Sequence, residues 1–137
     1  MIDGAIMEEI KSALVRELGE SKVLWNRSDI VVYRKDTYRI DFDEDYKYIP
    51  DLVVLPENTE EVQAVVRIAA RHKVPLIPKG GGSNRTGMLV PIHGGIVVDT
   101  IKMNKIVEVD HRNLYVTVQP GITLKDLEEH LEEHKLA

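Results

Sequence analysis

The chain has no cysteine among its 137 residues, which excludes a disulfide framework, an iron–sulfur cluster and a cysteine-ligated zinc site. Basic charge is not in excess: 18 Lys and Arg stand against 23 Asp and Glu, for a net charge of −5, and this argues against a nucleic-acid partner. No apolar stretch approaches membrane-spanning length, and Asp3, Glu8 and Glu9 precede any apolar run, unlike a secretory signal. A cytoplasmic location is the expectation that remains. Internal repeats and low-complexity tracts are also missing.

What is present reads as one ordinary globular core, with 43% hydrophobic and 30% charged residues. The most informative stretch is Gly80-Gly81-Gly82-Ser83-Asn84-Arg85-Thr86-Gly87, directly behind Val74 to Pro78 and Lys79. A loop this poor in side chains can bring backbone N–H groups close to an anion, as a diphosphate cradle requires. It is neither common phosphate loop. Lys79 precedes the glycines, whereas a Walker loop ends in Gly-Lys-Ser/Thr. Counting from Gly80, the third glycine of a dinucleotide fingerprint falls on Arg85, and Pro91 with Gly94-Gly95 cannot open the helix that should follow. Taken alone, a glycine cluster is more often a mobile turn.

The spacing of Ile6, Ile10, Leu14 and Leu18 predicts a helix over 5–18, stopped by Gly19. Ile30 to Tyr33 reads as a short strand, and Arg34 to Tyr48 shows no clear period. From Pro50 the pattern sharpens. Leu52 to Leu55 is a continuous apolar run, as in a strand covered on both faces, and Asn58 with Glu61 signals a helix start. Val62, Val65, Val66 and Ala69 then share one helical face. Leu76-Ile77 is the next strand, completing a strand–helix–strand crossover with the glycine loop at its carboxyl end, where open α/β sheets bind ligands. Ile96 to Val98 is a third buried strand. Ile106–Val109 and Leu114–Gln119 flank the turn residues Asp110 to Asn113 and predict an antiparallel hairpin, with Leu114, Val116 and Val118 on one face. Thr123 and Asp126 start a last helix, to Leu136, with Leu124, Leu127 and Leu131 inward. The expected fold class is α+β, a small parallel βαβ part followed by the start of an antiparallel one.

Four ordered blocks carry a resemblance: Pro50 to Val62, the glycine loop, Gly95 to Asp99 with Met103-Asn104, and Val116 to Leu124. In these the chain resembles the FAD-binding domain of the vanillyl-alcohol oxidase and p-cresol methylhydroxylase superfamily. It is most similar to FAD-linked 2-hydroxyacid oxidases and dehydrogenases typified by the flavin subunit of glycolate oxidase. The resemblance implies residues 1–48 as a lead-in segment and 49–137 as the N-terminal part of a flavin domain of the p-cresol methylhydroxylase type. It implies FAD held by Pro78, Lys79 (where an arginine is frequent), Gly80, Gly81, Gly82, Ser83 and Asn84 (where a glycine is frequent). Gly87 would close the loop, and Pro120, Gly121 and Ile122 would lie beside the flavin ring. Members that bond the flavin covalently often carry a histidine after paired glycines here; position 83 is serine, so non-covalent FAD is implied.

The activity implied is oxidation of a small 2-hydroxy acid of the glycolate or D-lactate kind, with electrons passed on from reduced flavin. In the family the catalytic residues come from a separate substrate domain, so none is nominated in this chain. The chain reads as a fragment or shortened product, inactive alone, completed by a chain carrying the substrate domain or self-associating. Other readings are a non-catalytic binding subunit or remnant, or a superfamily member acting on an alcohol, a sugar lactone or a cell-wall precursor. His130-Leu131-Glu132-Glu133-His134 matches an inverted zinc-protease pattern, but no third ligand follows and its Glu- and Lys-rich setting reads as a solvated face, so no metal site is expected.

Overall fold

The computed structural model of the chain describes residues 3–35 and 48–133. Two sheets organise it. A four-stranded sheet has the order β1–β2–β4–β3, built from Val23–Leu24, Leu52–Val54, Ile96–Asp99 and Leu76–Lys79. A two-stranded antiparallel sheet pairs β5 (Ile106–Asp110) with β6 (Tyr115–Val118). β2, β4 and β3 run parallel, and β1 adds an antiparallel edge through Val23 opposite Val54. The expected α+β class, parallel part first and antiparallel part second, is what the chain forms.

The continuous apolar runs follow from burial on both sheet faces. Alternate residues Leu52, Val54, Ile96 and Val98 meet Ile10, Leu14 and Leu18 of helix α1 (Gly4–Leu18) and Ala64, Val65, Ile68 and Ala69 of helix α3 (Thr59–His72). Val53 and Val97 point to the opposite face, against Ile30 and Tyr33. Ile10 and Leu14 are fully buried, and each such side chain contributes about 1.5–3 kcal/mol from removal of apolar surface from water.

Helix ends follow their capping residues. Asp3 accepts from the Ala5 N–H (2.9 Å), and Gly19, at φ +93°, closes α1. Asn58 Oδ1 accepts from the Glu61 N–H (2.9 Å), while Glu61 Oε2 reaches back to the Glu57 N–H (2.9 Å), so the expected start signal of α3 is formed. Lys22 spans from the turn before β1 to Glu61 (2.6 Å) and Glu57 (3.0 Å), tying the lead-in segment to α3.

Several expectations are corrected. Residues 30–33 are not a strand: Arg27–Ile30 is a short helix, α2, and Val31–Arg34 continues as a 3₁₀ turn. The reason is packing at helical spacing, because Ile30 and Tyr33 go inward while Val32 is 69% exposed. The strand of this region is instead β1, two residues long. On α3 the buried face is Ala64, Val65, Ile68 and Ala69, and Val66 is exposed. Ile6 on α1 is also exposed.

The hairpin turn forms as expected, with Asp110 Oδ1 accepting from the N–H groups of Arg112 (2.9 Å) and Asn113 (2.8 Å). Leu114, however, takes a left-handed conformation (φ +57°) in the turn and is exposed rather than on the strand face. In the last helix, α4 (Leu124–Glu133), Leu127 and Leu131 are half-buried and Leu124 is exposed. Most of the 34–48 segment, and His134 to Leu136, lie outside the described residues.

Candidate functional site

β3 and β4 run in parallel and end in register, Lys79 opposite Asp99. Beyond Lys79 the chain enters the glycine loop; beyond Asp99 it makes a 3₁₀ turn, Thr100–Lys102. The two exits are cross-tied. Lys79 Nζ donates to Asp99 Oδ2 (2.8 Å), and the Thr100 hydroxyl donates to the Lys79 carbonyl (3.1 Å). Asp99 Oδ1 accepts from the Ile101 N–H (3.1 Å), which caps the turn.

The turn after β6 closes onto the same place. The Gly121 N–H donates to the Met103 carbonyl (2.8 Å), and Ile122 N–H closes the turn on the Gln119 carbonyl (3.3 Å). A Cβ on Gly121 would fall within contact distance of the Thr100 carbonyl oxygen and 2.9 Å from that of Met103. The glycine here is therefore required by the protein's own backbone. One residue earlier, the Pro120 carbonyl oxygen lies 3.2 Å from where a Cβ on Gly80 would stand, so the 120–121 turn forms a wall beside the glycine loop.

The loop has the features of an anion cradle. The N–H groups of Gly81 and Gly82 have no acceptor among the described residues. A Cβ on Gly81 would meet nothing within 4 Å, so this position faces open space, whereas one on Gly82 would meet the Lys79 side chain at 3.2 Å. Gly82 also sits at φ +71°, in the left-handed region that favours glycine. Further along, Asn84 Oδ1 accepts from the Thr86 N–H (2.7 Å) and hydroxyl (2.8 Å), which makes a side-chain turn. Open space beside free N–H donors at the carboxyl end of a parallel sheet fits the diphosphate of a dinucleotide.

Of the residues singled out in the sequence, Pro78, Lys79, Gly80, Gly82, Pro120 and Gly121 are brought together here. Ser83, Asn84 and Gly87 lie along the loop beyond them. Sequence reading missed three residues of the site: Asp99, Thr100 and Tyr33. Asp99 is the buried charged residue among the described residues, 2% exposed, and the Tyr33 ring lies under Lys79 Nζ, 5.4 Å from its centroid. Burial, reinforced by the neighbouring Asp99 carboxylate, pushes the Tyr33 hydroxyl up to about 12. A signal for Asp99 was available, since a carboxylate directly follows three buried β-branched residues.

Residues 50–137 match the FAD binding domain family model. The chain is 34% identical over 122 residues to glycolate oxidase subunit GlcD of Bacillus subtilis, covering 89% of this chain and 25% of that protein. It is 32% identical over 136 residues to D-2-hydroxyglutarate dehydrogenase of Stutzerimonas stutzeri, covering 99% of this chain and 27% of that one. Its fold superposes on a crystal structure of p-cresol methylhydroxylase with a TM-score of 0.88 at 28% identity, covering 98% of this chain and 26% of that chain. The chain thus spans about a quarter of the length of these relatives.

Proposed function

Because the chain belongs to the FAD binding domain family, we propose that it is the FAD-binding segment of an oxidoreductase acting on a small 2-hydroxy acid, with Gly80 to Ser83 holding the cofactor diphosphate. The observation that carries the reading is the pairing of free Gly81 and Gly82 N–H groups with open space at Gly81, walled by Pro120. Lys79 and Pro78 set the loop's root, Asn84 and Gly87 shape its far side, and Gly121 and Ile122 turn the second wall. FAD, when bound, supplies acceptance of a hydride and onward transfer of electrons. What these residues do is bind and orient it and exclude water from one side.

The substrate class is supported by relatives whose names specify glycolate and D-2-hydroxyglutarate. No residue of this chain is assigned to substrate chemistry, and the segment is proposed to be inactive unless joined by a substrate domain. Val107, Leu114 and Leu124 are 65–84% exposed on the hairpin and α4, which supports association with further protein. Serine at position 83 supports non-covalent binding.

The test is a binding comparison among FAD, FMN and riboflavin, followed by flavin fluorescence. A cradle for a diphosphate retains FAD far more tightly than the other two. Equal affinity for riboflavin, or none for FAD, overturns the assignment of the loop.

A further inference from the structure

Lys79 stands at the root of the glycine loop, and as a free ammonium it would be a natural partner for a diphosphate. The structure gives it other work. Its Nζ is 2.8 Å from Asp99 Oδ2, and the Asp99 side chain is only 3% exposed. A buried carboxylate stripped of its partner is strongly unfavourable, so the pair is held closed. The lysine stem runs beneath the loop, with Cε 3.2 Å from the Cβ position of Gly82, and Nζ rests on the Tyr33 ring. The Thr100 hydroxyl holds the Lys79 carbonyl, so the side chain of Lys79 is fixed from the end of β4 and its backbone from the turn that follows.

We propose that Lys79, Asp99 and Tyr33 form a positioning device that props the glycine loop in its anion-binding conformation, Lys79 acting through its shape and its bond to Asp99 rather than as a charge on the diphosphate. The inference rests on the reading of this loop as the FAD cradle. It deepens that reading by separating two roles that a basic residue in such a loop can play. With opposite charges 2.8 Å apart, the field of the pair largely cancels at a ligand on the far side of the loop, leaving the N–H groups to carry recognition.

The two roles differ in what Asp99→Asn does. If Lys79 were a charge on the ligand, removing the carboxylate would release it and tighten FAD binding, and Lys79→Met would flatten the salt dependence of affinity. For a positioning device both single variants weaken FAD binding, each by about tenfold, the double variant is less than additive, and Lys79→Met leaves the salt slope unchanged. Lys79→Arg keeps the ion pair and restores most of the affinity.

A second measurement uses the protein without flavin. Lys79→Met is expected to shift the backbone amide resonances of Gly80, Gly81 and Gly82 and to lower their ¹⁵N order parameters, with circular dichroism unchanged. Loosening of the loop in a chain that takes up no FAD would uphold the device and defeat the cofactor reading. Unaltered glycine resonances in Lys79→Met, or tighter FAD binding by a folded Asp99→Asn protein, would overturn the device.

Discussion

Gly121 is packed so closely against the Thr100 carbonyl that no Cβ fits between them, and its N–H donates to the Met103 carbonyl at 2.8 Å. Gly121→Ala therefore has to displace backbone. The expected cost is about 1–3 kcal/mol of stability, read by urea denaturation. Because the same turn sets the Pro120 wall beside Gly80, FAD affinity is expected to fall with it. An alanine variant as stable as the parent would mean that the 100–103 and 119–122 turns are not locked together.

The Tyr33 hydroxyl, lifted from an ordinary value of 10.0 to about 12 by burial and by Asp99, should titrate above the ordinary tyrosine range. Ultraviolet difference titration against Tyr33→Phe isolates its transition, and Asp99→Asn should bring that transition down. The sign for stability follows. The neutral hydroxyl is favoured in the folded state, so this contribution is complete below pH 10.0 and disappears as pH rises through about 12.

At the acid end the Lys22 cluster contributes. The Lys22 ammonium, helped by Lys102, lowers Glu57; burial alone would raise Glu61, but Lys22 and the Glu57 N–H outweigh it. Both carboxylates thus stabilise the fold above their ordinary value of 4.5, and the contribution is lost as pH falls below it. Lys22 itself is raised above 10.5, so its share is complete below that pH and lost above it. Lys22→Met is expected to lower the Tm by a few degrees at neutral pH and to flatten the decline of Tm below pH 4.5. A Tm–pH curve unchanged by the substitution would remove the cluster from the account.

Dye-reduction assays over a panel of 2-hydroxy acids are expected to show no turnover by this chain supplied with FAD. Robust turnover would locate catalytic residues within these 137 positions and contradict the proposed division of labour.

How far the sequence was legible depended on how local the determining contacts are. Asn58 and Glu61 reveal the start of α3 because capping acts across one turn, and Leu52 to Val54 reads as a strand because each residue meets a helix on one face or the other. Ile30 to Tyr33 misled because β-branched residues favour strands, while the inward positions, Ile30 and Tyr33, are three apart and chosen by Val53 and Val97 from far along the chain. The glycine loop was visible. Its floor was not, because Lys79 and Asp99 meet only when β3 and β4 pair, twenty residues apart. Gly121 was singled out for a close approach to a flavin; that Thr100 and Met103 themselves leave no room for a Cβ there was not legible in the sequence.

The most direct test of the central claim is FAD binding by Gly81→Val. A Cβ at Gly81 would meet nothing within 4 Å beyond its chain neighbours, so the fold is expected to be untouched, whereas at Gly82 the positive φ would confound the result. The account predicts wild-type circular dichroism together with a loss of FAD affinity on the order of tenfold or more, measured by flavin fluorescence. A folded Gly81→Val protein that binds FAD as tightly as the parent would contradict it.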